Sequence, residues 1–312
     1  MVRTRTNAGK SLTVEMAINL AAPHTWPAAI MPALIASCMA TRVTPVSVTM
    51  VFTLLAIVIL MQSSVNTFND YYDYVKGADS AEDNVDPSDA VLVYNDINPK
   101  SALKLAIGFL VAAFVLGIYA ILKAGFTPLI IAAVGALFVV LYSAGKSPIS
   151  YLPLGEVVSG VVMGGLIPLA VYQVLTGILD FTVLLLSIPT IIGVGLIMFT
   201  NNTCDIERDE PSGRRTLPIL LGRDRARFLY RALVVLWIID IVVNVAICFT
   251  QGLVIVPFAL LASYPLVKAL FSNPLDQTRR QQAMPQILSV NIVLGAFYAA
   301  CILASTTTTL VF

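Results

Sequence analysis

Residues 48–79 read VTMVFTLLAIVILMQSSVNTFNDYYDYVKGAD. The first part, Val48 to Val65, is an apolar run, and about 20 such residues suffice to cross a hydrocarbon core of roughly 30 Å. It closes on Asn66, Asn69, Asp70 and Asp73, and continues through Gly77 to Asp79. Amides and carboxylates at the mouth of a hydrophobic helix are costly and need a compensating partner. A bound cation is the simplest one. A second apolar run ends the same way, in Asn201-Asn202-Thr203-Cys204-Asp205-Ile206-Glu207-Arg208-Asp209.

The rest of the chain fits a membrane setting. Of 312 residues, 58% are apolar and 12% are charged, with a mean hydropathy of +0.86. Soluble domains carry about 25% charged residues. Nine apolar runs stand out, at 16–40, 47–70, 100–122, 127–145, 154–175, 181–204, 228–249, 252–271 and 286–309. They predict an all-α membrane protein of nine transmembrane helices, a single domain over 1–312. The first run holds Pro23, Pro27 and Pro32 and no clear cleavage site, so it reads as a retained span. A net charge of +1 gives no reason to expect nucleic acid as a partner. The four cysteines are scattered and suggest neither a disulfide framework nor a zinc site.

Lysine and arginine set the orientation. With the N-terminus inside, 17 of the 19 fall on inner segments, and only Arg42 and Lys123 fall outside. Both acidic motifs then face the cytoplasm. Asp70 to Asp96 holds eight of the 18 acidic residues and Asp205 to Asp224 holds five, so the polar loops are also the acidic ones. Asn66 and Asn201 each close an even-numbered run, the second and the sixth. That suggests a four-helix unit used twice in parallel, with a site at the repeat interface.

Helical spacing puts Asn66, Asp70 and Asp73 on one face, and Asn201, Asp205 and Asp209 on one face of the second helix. Such columns of oxygen ligands suit Mg2+, which binds one or two carboxylates together with substrate phosphates. Arg214 and Arg215 follow the second motif directly, and guanidinium groups bind phosphate oxygens in pairs. Lys146 closes the fourth run on the same side, whereas Arg223, Arg225, Arg227 and Arg231 read as inner-face anchors. Two other readings of the acids are solvated helix ends and the ion pathway of a cation-coupled transporter.

The motif Asn66-x-x-Asn69-Asp70-x-x-Asp73-x-x-x-Gly77-x-Asp79 resembles the first aspartate motif of the UbiA superfamily of intramembrane prenyltransferases. The stretch Asn201-Asn202-x-x-Asp205-x-x-x-Asp209-x-x-x-Gly213-Arg214-Arg215-Thr216-Leu217 resembles its second. Together with Tyr142 to Ile149 and Pro153 to Glu156, the double asparagine and the Arg-Thr-Leu tail look most like the branch that prenylates 1,4-dihydroxy-2-naphthoate in menaquinone biosynthesis. Cys204 departs from the family pattern, which usually has arginine there.

The resemblance implies a bundle around a central cavity, with cytoplasmic cap loops, in the cytoplasmic membrane. It implies a polyprenyl diphosphate donor, an aromatic acid acceptor, and Mg2+ held by Asp70, Asp73, Asp205 and Asp209. Asn66, Asn69 and Asn201 would complete or orient that shell, Asn202 would join them in binding substrate, and Lys146, Arg214 and Arg215 would contact the diphosphate. Asp79 would act on the acceptor or metals, or only cap its loop. The expected reaction is ionisation of the allylic C–O bond, alkylation of the electron-rich ring and, for dihydroxynaphthoate, loss of carbon dioxide. A sister enzyme acting on 4-hydroxybenzoate or another aromatic acceptor is the alternative within the family.

Overall fold

A computed structural model of the chain describes residues 11–77, 90–95, 97–143, 148–306 and 310–311. Among these residues the chain is helical apart from one short parallel strand pair, Val46–Ser47 with Leu310–Val311. The N-terminal run is broken in two, into α1 (Val14–Ala21) and α2 (Pro27–Ala40). Ala22 takes a left-handed conformation with φ 47°, and Pro23 and Pro27 lack the N–H that a continuous helix would need. Next comes α3 (Val48–Lys76), opened by the Ser47 hydroxyl accepting from the Met50 N–H and closed by Gly77 at φ 71°. The expected second span thus continues unbroken through Asp73.

After α4 (Val91–Asn95) come α5 (Pro99–Ala124) and α6 (Thr127–Ser143). The fifth run forms α7 (Gly155–Val161), a π-turn at Val162–Leu166, and α8 (Ile167–Thr176). The sixth is split at Ser187 into α9 (Thr182–Leu186) and α10 (Ile188–Cys204), followed by α11 (Ile206–Asp209) and α12 (Leu217–Leu221). Three helices finish the chain, α13 (Arg223–Cys248), α14 (Val256–Ser272) and α15 (Arg280–Ala304).

Among the described residues six helical segments are long and apolar enough to cross a membrane, namely Val48–Val75, Pro99–Ala124, Gly155–Thr176, Arg223–Cys248, Thr250–Ser272 and Gln277–Ala304. Three expected spans are represented by the shorter apolar helices Pro27–Ala40, Thr127–Tyr142 and Ile188–Cys204. The sequence predicts nine transmembrane helices; the six long helices do not reach that count, and the breaks at Ala22 and Ser187 explain why two of the nine runs hold only shorter helices.

Small residues bring the helices together. Gly160 and Gly164, four apart, face the start of α10. A Cβ on Gly164 would lie 2.5 Å from the Thr190 carbonyl carbon and oxygen, and one on Gly160 would lie 2.6 Å from Ile191 O. This is the small-xxx-small contact of membrane helices. The Thr190 hydroxyl donates to Gly164 O across it. Behind α10, Phe199, Tyr230, Trp237 and Tyr298 form the main buried cluster with α13 and α15. Large apolar side chains such as Phe52, Leu122, Ile130, Ile247 and Leu261 point outward. The result is that the ends of α3, α10 and α11 meet the start of α15 at one end of the bundle.

Candidate active site

Asn66, Asn69, Asp70 and Asp73 all lie on α3, as its periodicity requires. Asn66 is tied to the break in the first run. Its Nδ2 donates to Ala21 O at 3.0 Å and to Thr25 Oγ1 at 2.8 Å, and its Oδ1 accepts from Gln62 Nε2. Asp70 is buried, and its carboxylate accepts from the backbone N–H groups of Val91 (2.7 Å) and Leu92 (3.3 Å), which open α4. An acceptor at that position compensates the free amides of a helix start. Asp73, one turn further, is half-buried and takes the Arg214 guanidinium at 3.3 Å.

The second motif turns a corner. α10 stops at Cys204, and Asp205 leaves helical geometry with φ −98° and ψ 12° before α11 begins. Asp205 and Asp209 are only 1% and 2% exposed. Asp205 is flanked by Arg208 at 3.0 Å and by Arg280 of α15 at 3.1 Å. Asp209 meets Arg214 at 3.3 Å. Arg280 also donates to Asn201 Oδ1 at 2.6 Å, while Asn202 donates to Glu156 Oε1 at 2.8 Å.

A cavity of about 580 Å³ opens among these groups, lined by Asn69, Asp70, Asp73, Asn201, Asn202 and by Arg208, Arg214 and Arg280. Asp205 and Asp209 stand behind the arginines and do not line it. An apolar chamber of about 450 Å³ adjoins it, walled by residues such as Leu54, Val58, Leu110, Phe114, Ile167 and Val171. Gln62, Asn66, Asn69, Tyr142, Ser159, Met163 and Met198 line both, so the polar mouth leads into the apolar chamber at that neck.

Burial pushes the Asp209 carboxyl up to about 6, against the pull of Arg214. The cause is visible in its second oxygen, Oδ2, which is buried and has no hydrogen-bond partner among the described residues. An orphaned anionic oxygen beside an acidic cavity is the kind of donor a hard cation satisfies. Among the described residues no group of three or more Asp, Glu, His or Cys is gathered closely enough to hold a metal as it stands. Guanidinium groups are interposed between the carboxylates instead.

The structure thus brings together Asn66, Asn69, Asp70, Asp73, Asn201, Asn202 and Arg214 at the cavity, with Asp205 and Asp209 directly behind. Arg215 is different. Its side chain is exposed, it does not line the cavity, and its backbone N–H donates to Tyr151 O at 2.8 Å. Asp79 and Lys146 lie outside the described residues. Two basic groups of the site, Arg208 and Arg280, were not foreseen. Arg208 stands three residues after Asp205, a spacing that pairs side chains on a helix. Arg280 is distant in sequence and counts there only among the inner-segment charges. Cys204 is fully buried in the core, and the guanidinium beside Asp205 comes from Arg208 and Arg280. Arg223 does more than anchor, since it pairs with Glu207 and donates to Thr203 O.

Comparison with known proteins bears on this arrangement. The model of the UbiA prenyltransferase family matches residues 29–307. A 1,4-dihydroxy-2-naphthoate octaprenyltransferase from Bacillus subtilis (strain 168) is 32% identical over 250 residues, covering 77% of this chain and 80% of that protein. A UbiA homolog from Archaeoglobus fulgidus superposes with a TM-score of 0.67 at 16% identity, covering 93% of this chain and 99% of that one. The same homolog bound to GPP and Mg2+ superposes with a TM-score of 0.64 at 15% identity, with the same coverage.

Proposed function

The chain belongs to the UbiA prenyltransferase family and is a multi-pass membrane protein, and from that premise we propose that it transfers a polyprenyl group from a polyprenyl diphosphate to 1,4-dihydroxy-2-naphthoate. The carboxyl group would leave as carbon dioxide, giving demethylmenaquinone. The observation that carries the reading is the joined cavity, with an acidic and arginine-lined mouth at one end and an apolar chamber at the other. An amphipathic donor with a charged head and a long hydrocarbon tail fits both halves. The Bacillus relative supports the acceptor. The family does not favour a cation-coupled transporter.

In this reading the diphosphate enters beside Arg208, Arg214 and Arg280, whose guanidinium groups offer paired donors to its oxygens. Asp70, Asp73, Asp205 and Asp209 are the residues that would hold Mg2+, on the strength of their all-oxygen chemistry and the orphaned Asp209 Oδ2. Magnesium bound there supplies positive charge against the diphosphate as it leaves. The guanidinium groups add to that charge in a site shielded from bulk water. The apolar chamber holds the tail and keeps water from the allylic cation. Asn66 and Asn69, at the neck, border the head-group end of that chamber. The proposed orientation puts the N-terminus and this mouth on the cytoplasmic side, supported by the lysine and arginine bias. Asp79 and Lys146 enter the proposal on motif alone.

Protein purified in detergent, supplied with Mg2+, a radiolabelled polyprenyl diphosphate and a panel of aromatic acids, tests the proposal. Label should enter an extractable product with the dihydroxynaphthoate. A product with 4-hydroxybenzoate alone would move the chain to a sister activity, and no product with any acid would overturn the reading.

A further inference from the structure

Glu156 stands near the start of α7, 4% exposed, bonded to Asn202 and not itself among the residues that line the polar cavity. Its Oε1 accepts from Asn202 Nδ2 at 2.8 Å, and its Oε2 is buried with no hydrogen bond of normal geometry among the described residues. A carboxylate only accepts hydrogen bonds, so it fixes the amide beside it with the NH2 group facing it. That leaves the carbonyl oxygen of Asn202 for another partner, and Asn202 lines the cavity. Its neighbour is set the opposite way round, since Asn201 gives its Oδ1 to Arg280. One asparagine of the pair is therefore bound into the charged cluster, and the other offers a neutral acceptor.

The position of that acceptor matters. Asn202 lies four residues after Met198 on α10, one turn from a residue that lines both cavities. Ser159 and Tyr142 line both as well. This neck is where a ring must sit to meet an allylic carbon whose diphosphate is among the arginines and whose tail is in the chamber. Resting on the function proposed above, we infer that Asn202 Oδ1 accepts a hydrogen bond from a ring hydroxyl of the acceptor, and that Glu156 is the positioning residue that turns the amide to do so. The pair selects a hydroxylated ring over one lacking the hydroxyl. A buried acceptor built for a hydroxyl is left unpaired by an analogue without it, and that penalty is the source of discrimination.

Calorimetric binding to the full chain in detergent, without donor or magnesium, tests this. The ligands are 1,4-dihydroxy-2-naphthoate and its two monohydroxy analogues, in which one ring hydroxyl or the other is replaced by hydrogen. One analogue should bind wild type about tenfold more weakly. Asn202→Leu and Glu156→Leu should bring that ratio near one and weaken the acid more than the polyprenyl diphosphate. Glu156→Gln, which can still accept from the Asn202 amide, should keep the ratio. Equal binding of all three acids by wild type would overturn the inference without recourse to any variant. So would a ratio that survives in Asn202→Leu, or a loss that falls equally on donor and acceptor. A magnesium requirement shifted in Asn202→Leu with the ratio intact would make the oxygen a cation ligand instead. If wild type prenylates the dihydroxynaphthoate but shows no hydroxyl preference, this inference alone fails. If it neither binds nor prenylates any aromatic acid, the proposed function fails with it.

Discussion

Asp73 on α3 and Asp209 on α11 share one guanidinium, that of Arg214, which lies 3.3 Å from each. The two acidic motifs, far apart in sequence, are thereby joined through the arginine that closes the second. Arg214 also stacks over the Tyr151 ring, 5.2 Å from its centroid, so a cation–π contact helps to fix the bridge.

Removing that bridge should cost stability as well as activity. Arg214 is 12% exposed and Asp209 2%, and breaking a buried pair from one side costs about 3–5 kcal/mol because it strands a charge. Arg214→Ala should lower the thermal midpoint in detergent accordingly. Arg214→Ala with Asp209→Asn should recover much of the loss. A double variant no more stable than Arg214→Ala would show that the stranded carboxylate is not the cause.

The raised Asp209 carboxyl predicts a pH dependence. Its folded value of about 6 lies above the ordinary 3.8, so the folded state holds the proton more tightly than the unfolded state. The stability it contributes is full at low pH and is lost as pH rises through about 6, a change of about 3 kcal/mol for this shift. Melting curves of metal-free protein between pH 4 and pH 7 should show this fall, and Asp209→Asn should remove it. A fall of the same size in the variant would assign it to another group.

Asp70 and Asp73 should separate. Both line the cavity, but Asp70 also caps α4. Asp70→Ala should abolish turnover and cost about 1 kcal/mol for the lost cap. Asp73→Ala, at a half-buried site, should abolish turnover with a smaller stability change. Membrane insertion should survive in both. Retained turnover in either variant would count against the metal assignment.

Gly164→Ala tests the helix contact behind the site. Its new Cβ would lie 2.5 Å from the Thr190 carbonyl, and backbone cannot give way as a flexible side chain can. The variant should yield less folded protein in a detergent size-exclusion profile, by the 1–3 kcal/mol or so typical of overpacking. Gly177→Ala meets no atoms within 4 Å but has a φ of 73°, so it should show only the smaller cost of a strained cap.

Much of this was legible from residue order. The apolar runs marked the helices, and the spacing of Asn66, Asp70 and Asp73 placed them on one helix because α3 has no break. The second motif was less transparent, because Asp205 ends α10 and the kink turns Asp209 away from the cavity. Which arginine enters the site was beyond pattern. Arg214 and Arg215 are adjacent, and only the turn at Gly213, φ 85°, decides which points inward. Arg280 acts at long range, so nothing near Asp205 in sequence announced it. Glu156 entered only as the last residue of the Pro153 to Glu156 resemblance, and its bond to Asn202 required the glycine-mediated approach of α7 to α10.

The central claim is tested most directly with two labels in one reaction. Protein in detergent is given Mg2+, a tritiated polyprenyl diphosphate and 1,4-dihydroxy-2-naphthoate carrying carbon-14 in its carboxyl group. The expected result is a lipid-soluble product that contains tritium and no carbon-14, with labelled carbon dioxide released in equal amount. Tritium recovered only as unreacted donor or as free prenyl alcohol, with all carbon-14 still in the acid, would contradict it.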